Sequence, residues 1–89
     1  MKKVFIANRN GQKLSVIVEG EEKNEHLAFV MHGLGGWKDQ PHIKTFTDAF
    51  FANGFTVVRF DTTNSYGESE GKYEDATTTN YYKDLEDVI

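Results

Sequence analysis

The sequence predicts an α/β fold with parallel strands, and three observations carry that prediction. Two mostly apolar runs, residues 27–31 and 55–61, lie on either side of a segment with helical periodicity. A glycine-rich turn at residues 32–36 directly follows the first run. A strand, a helix and a second strand in this order form a right-handed crossover, which makes the two strands parallel.

A β-hairpin is expected before the crossover unit. Residues 3–7 and 13–19 are rich in β-branched and aromatic residues, and the Asn and Gly residues between them suit a turn. After a polar connection, residues 27–31 show no alternation of polar and apolar positions. That pattern is typical of a strand buried on both faces.

The helix of the crossover has recognisable ends and one apolar stripe. Asp39 is the expected N-cap, Pro41 suits a first turn that needs no donor, and Gly54 suits the end of the helix. Three residues at helical spacing predict its buried face: Ile43, Phe46 and Phe50.

A second helix is expected near the end of the chain, over residues 81–89, with Asp75 as its N-cap. No C-cap glycine, basic last turn or helix breaker follows this segment. We therefore expect a truncated chain, in which residues 1–89 are one portion of a single domain.

Composition narrows the function classes. The net charge is −4 and no basic cluster follows the first three residues, so nucleic acid is not an expected partner. No apolar run is long enough for a membrane span or a signal peptide, which makes the cytoplasm the default location. Cysteine is absent and the three His are scattered, so neither a disulfide nor a metal site is expected.

The glycine-rich turn is the strongest candidate for chemistry. His32-Gly33-Leu34-Gly35-Gly36 joins a strand to a helix, where a turn can present backbone N–H groups to an anion. A tight turn that needs glycine for packing alone explains the same pattern.

The whole chain resembles the N-terminal portion of the α/β-hydrolase superfamily: a hairpin, a strand ending in His-Gly-x-Gly-Gly, a helix, and a strand ending in Arg-Phe-Asp. It is most similar to small serine esterases, including cinnamoyl-type esterases and serine aminopeptidase-like hydrolases. In that superfamily the loop after the third strand donates an N–H to the oxyanion. The resemblance implies that Leu34 N–H is this donor, with His32 and Gly33 shaping the turn.

The resemblance also implies what the parent protein does. It would hydrolyse carboxylic esters or related acyl bonds of a small-molecule substrate through a Ser nucleophile, without a cofactor. The nucleophile, the acid and the histidine of the triad would lie beyond Ile89. The 89-residue chain alone is therefore expected to be inactive.

Residues 67–71 match the Gly-x-Ser-x-Gly pattern, but we predict that Ser69 is not the nucleophile. A nucleophile elbow needs a strand that ends at the motif, and the preceding strand ends near Asp61. Glu68 and Glu70 would also place negative charge beside a forming oxyanion.

In the esterase pattern a glycine stands near Asn64, and Asn tolerates the left-handed backbone conformation that such a site requires.

Two other functions fit parts of the sequence. A dinucleotide-binding unit shares the strand, glycine turn, helix and terminal acid Asp61, but it needs a glycine where Lys38 stands. A non-catalytic interaction module would pair through Leu27–Met31, because that strand has an unpaired apolar edge if no fifth strand follows. Self-association through this edge is the corresponding expectation.

Overall fold

The computed structural model describes residues 1–21 and 23–89 and confirms the α/β fold. Residues 73–75 form a short 3₁₀ turn before the second helix. In chain order the elements are β1 (Lys2–Ala7), β2 (Lys13–Glu19), β3 (Leu27–Met31), α1 (Pro41–Ala52), β4 (Thr56–Phe60) and α2 (Thr78–Val88). Neither helix in this described part is long and apolar enough to cross a membrane.

The four strands form one mixed sheet in the order β1-β2-β4-β3. β1 and β2 form the predicted antiparallel hairpin, and β2 also pairs antiparallel with β4. β3 and β4 are parallel, with Met31 opposite Phe60, so the crossover is confirmed. Their carboxyl ends meet at one edge of the sheet, which brings the glycine turn beside the loop after β4.

The two helices cover opposite faces of the sheet. On one face Leu14, Val16 and Phe60 form a buried cluster, against which Leu85 and Val88 of α2 pack. On the other face α1 buries Ile43 and Thr47. On this face Glu19 of β2 forms ion pairs with Arg59 of β4 and with Lys44 of α1.

The predicted apolar face of α1 is only partly correct. Ile43 is 3% exposed, but Phe46 and Phe50 are 56% and 40% exposed. The residue one turn after Ile43 is Thr47, whose hydroxyl donates to the Ile43 carbonyl and is fully buried with it. Phe50 packs edge-on against Phe55 at 5.4 Å between ring centroids, so the aromatic rings form a surface groove instead of core.

Both predicted N-caps are wrong, whereas Gly54 follows the end of α1 with a φ of +87°, as expected. Gln40 is the N-cap of α1 and makes no side-chain capping bond, because the Asp39 carboxylate is held by Lys38 and Arg59. Asp75 lies in the 3₁₀ turn. Thr77 caps α2 in a reciprocal capping box with Asn80.

β3 is not buried on both faces as the sequence predicted. Leu27 is 46% exposed and the remaining four residues are half-buried. The reason is its place in the sheet, since β3 is the edge strand and pairs with β4 alone among the described strands.

Candidate active site

The glycine turn has the geometry of a type II β-turn. Gly36 N–H donates to the Gly33 carbonyl at 2.9 Å, and Gly35 at the third position has a φ of +84°. Leu34 at the second position is not among the residues with positive φ. This combination distinguishes type II from its mirror-image turns and explains why Gly35 must be glycine.

The amide of Leu34 is free. Among the described residues it has no hydrogen-bond partner, and the residue is 58% exposed. A shallow cavity of about 170 Å³ opens at the turn, lined by Gly33, Leu34, Gly35, Gly36, Gln40 and His42. An unbonded N–H beside a cavity can receive an oxygen atom of a ligand without breaking an existing bond.

His32 anchors the start of the turn. It is 1% exposed, its Nδ1 donates to the Gly33 carbonyl at 2.8 Å, and its Nε2 accepts from Thr62 N–H at 3.1 Å. Burial lowers the pKa of His32, and the Gly33 carbonyl opposes that shift only in part. Because Nε2 accepts a hydrogen bond, the ring is neutral, with Nδ1 bonded to the first residue of the turn and Nε2 linking the end of β3 to the loop after β4.

Lys38 and Asp61 anchor the other end of the turn, and sequence reasoning missed this pair. Lys38 N–H and Nζ donate to the two Asp61 oxygens at 2.7 and 2.9 Å, and both side chains are at most 1% exposed. Nζ also contacts Glu68 at 2.9 Å. Burial disfavours the charged ammonium, but the bonds to Asp61 and Glu68 outweigh it and raise the pKa of Lys38.

The Asp61 carboxylate also shapes the loop after β4. It accepts from Glu68 N–H at 2.8 Å, and a Cβ on Gly67 would lie 2.1 Å from its carboxyl carbon. Hydrogen bonds from Lys3 and Lys38 lower the pKa of Glu68 to about 2, so its charge persists in mild acid. Asp61 is fully buried and bonded to Lys38 and Glu68. The dinucleotide alternative requires an acid that is accessible to a ribose hydroxyl, and Asp61 does not meet that requirement.

Ser69 lies in a structural position. It is 8% exposed, its hydroxyl donates to the Asp61 carbonyl at 2.6 Å, and its oxygen accepts from Ser15 N–H at 2.8 Å. Residues 61–71 form no strand that ends at the motif. The hydroxyl is bonded to the backbone of Ser15 in β2 and of Asp61 just after β4, and the motif lacks the preceding strand and following helix that an elbow needs.

Asn64 has the left-handed backbone conformation expected for it, with a φ of +61°. Its side-chain oxygen accepts from Lys72 N–H at 3.0 Å, and its amide nitrogen donates to the Asp75 carbonyl at 3.2 Å. These bonds hold the loop after β4 against the 3₁₀ turn. A Cβ on Gly71 would lie 2.1 Å from the Asn64 oxygen, so Gly71 is required for this packing.

Within the described residues no group of three or more His, Cys, Asp or Glu side chains could hold a metal ion.

Comparison with solved structures shows the fold. Est1E from Butyrivibrio proteoclasticus, a structure with ferulic acid bound, matches with a TM-score of 0.83 and 24% identity over 96% of this chain and 34% of its own. A serine hydrolase homologue from Coxiella burnetii matches with a TM-score of 0.79 and 23% identity over 98% of this chain and 42% of its own. An esterase from Exiguobacterium antarcticum matches with a TM-score of 0.77 and 19% identity over 99% of this chain and 31% of its own.

These matches give the chain the architecture of part of an α/β-hydrolase domain, as the sequence predicted. The chain spans about a third of the length of the structure with the highest of these TM-scores. No protein-family model and no curated protein matches the sequence.

Proposed function

We propose that this chain is the N-terminal segment of a serine hydrolase and supplies the oxyanion-hole loop of its active site. The donor is Leu34 N–H, and His32 and Gly33 hold the turn that presents it. The complete enzyme cleaves carboxylic esters or related acyl bonds of a small molecule in the cytoplasm, without a cofactor.

The observation that carries the proposal is the unbonded Leu34 amide in a turn that is anchored at both ends. Stabilisation of an oxyanion depends on a donor whose position is set before the charge develops. The bonds of His32 and Lys38 to the end of β4 provide that fixed frame. Structural likeness to esterases and serine hydrolases supports the choice of acyl chemistry.

The chain alone supplies no nucleophile. Ser69 is its only serine in a Gly-x-Ser-x-Gly pattern, and its hydroxyl bonds to the backbone inside the structure. Neither His32 nor Asp61 can complete a triad, since both are engaged in structural bonds. The catalytic Ser, the acid and the base come from the part of the hydrolase that follows residue 89.

A fluorophosphonate probe tests this assignment, because it labels the activated serine of a serine hydrolase. We expect the complete hydrolase to be labelled at a serine beyond residue 89 and the 89-residue chain to stay unlabelled. The Ser69→Ala variant of the complete protein is expected to retain the label. Labelling of the short chain that Ser69→Ala abolishes would contradict the proposal, as would a reading frame without a later nucleophile elbow.

A further inference from the structure

A buried cation follows the glycine turn, although the proposed chemistry does not use one directly. Lys38 lies two residues after Gly36 and is 1% exposed, which is rare for a lysine. Its Nζ lies within 3.1 Å of three carboxylates, those of Asp61, Glu68 and Asp39. Such a site needs an explanation, because burying charge is costly unless every partner is in place.

The geometry of the pair joins two segments that are distant in sequence. Asp61 receives one bond from the backbone and one from the side chain of Lys38, so both the position and the direction of the chain after the turn are set. The same carboxylate receives Glu68 N–H. One buried group therefore connects the segment after the turn, the end of β4 and the following loop.

His32 performs the matching task before the turn. It binds Thr62 N–H, the residue next to Asp61, so the two anchors hold consecutive positions at the end of β4. Only the type II turn lies between them, and its Leu34 amide has no bond of its own among the described residues. The direction of that N–H depends on the anchors.

We propose that Lys38 is a positioning residue for the oxyanion donor. Its two hydrogen bonds to Asp61 fix the position of the Leu34 amide. The inference rests on the proposed function, because it assigns a purpose to the rigidity of that turn. Without the Lys38 side chain, the segment after the turn is held to Asp61 by its backbone bond alone, while the His32 bond to Thr62 N–H remains, so the turn gains freedom to move. A displacement of about 1 Å in a catalytic group can lower a rate by about 100-fold.

The test combines a dynamic and a kinetic measurement on Lys38→Met. In the complete hydrolase, amide relaxation is expected to show the order parameters of Leu34 and Gly35 falling from about 0.85 to below about 0.6. In the complete hydrolase, kcat for a p-nitrophenyl ester is expected to fall by about 10-fold or more while KM changes less than about threefold. Asp61→Asn, which keeps an acceptor for Lys38 N–H, is the milder second variant and is expected to give a smaller loss of the same kind.

Ser69→Ala is the matched control, because it removes buried bonds to Ser15 N–H and to the Asp61 carbonyl but keeps both bonds between the Asp61 carboxylate and Lys38. It is expected to leave the order parameters of Leu34 and Gly35 and the value of kcat unchanged. Unchanged order parameters in both Lys38→Met and Asp61→Asn would overturn the positioning role. If Leu34→Pro lowers kcat and Lys38→Met does not, positioning fails while the proposed function stands; if Leu34→Pro has no effect, the proposed function itself fails.

Discussion

Asp84 is a buried carboxylate on α2 whose removal should destabilise the fold strongly. Its oxygens accept from Thr63 N–H and Thr63 Oγ1, both at 2.7 Å, and from the Asn8 side-chain amide at 3.0 Å. Asn8 also donates to Gln12 and keeps that bond when Asp84 is replaced. The substitution therefore leaves mainly the Thr63 donors without a partner. Hydrogen bonds to a charged group contribute about 1.5 to 3 kcal/mol each, so losing the two bonds from Thr63 in Asp84→Ala should cost about 3 to 6 kcal/mol.

Urea unfolding followed by circular dichroism at pH 7 measures this cost. Glu86→Ala is the matched control on the same helix, because Glu86 is 70% exposed and lies 3.6 Å from Arg9. An exposed ion pair of this kind contributes at most about 1 kcal/mol. Asp84→Asn keeps an acceptor for Thr63 N–H and should fall between the two. Equal unfolding free energies for Asp84→Ala and Glu86→Ala would refute the reasoning.

Three further outcomes follow from the structure. Because burial lowers the pKa of His32 from 6.5, the unfolded chain binds this proton more readily, and the unfolding free energy should fall as pH drops below about 6.5. His32→Asn should remove that slope in urea titrations from pH 7 to 5. Ser69→Ala should lower the unfolding free energy by about 1 to 3 kcal/mol, since it leaves the buried Ser15 N–H unpaired. Neither this variant nor the unsubstituted 89-residue chain should hydrolyse p-nitrophenyl acetate. The exposed edge of β3 should make the chain self-associate. Leu27→Lys on this strand should lower the molar mass measured by light scattering. Tyr82→Lys, on the exposed face of α2, is the control and should leave that mass unchanged. A monodisperse monomer before substitution would contradict the edge argument.

Elements whose pattern lies within a short stretch of sequence were predictable. The hairpin, the bounds of β3 and the parallel crossover agree with the structure, because β-rich runs, turn residues and helical spacing are local signals. Asn64 was also predictable, since few residues other than glycine adopt positive φ. That no strand ends at residues 67–71 was predictable from their distance from the end of β4.

The missed features depend on residues that are far apart in sequence. Lys38 and Asp61 are separated by 23 positions, and Asn8 and Asp84 by 76. A lysine after a glycine turn carries no local sign that it will be buried, because its burial depends on a carboxylate at the end of another strand. The exposure of Phe46 on α1 is likewise set by which part of the helix meets the sheet, and helical spacing alone does not determine that.

The oxyanion assignment can be tested with one substitution that deletes the proposed donor. Proline is favoured at the second position of a type II turn, so Leu34→Pro removes the N–H with little change to the turn. Leu34→Ala keeps the N–H and controls for the lost side chain. In the complete hydrolase, kcat for an ester substrate is expected to fall about 100- to 1,000-fold in Leu34→Pro and to change only a few-fold in Leu34→Ala. Equal kcat values for the two variants would contradict the central claim that the Leu34 amide stabilises the oxyanion.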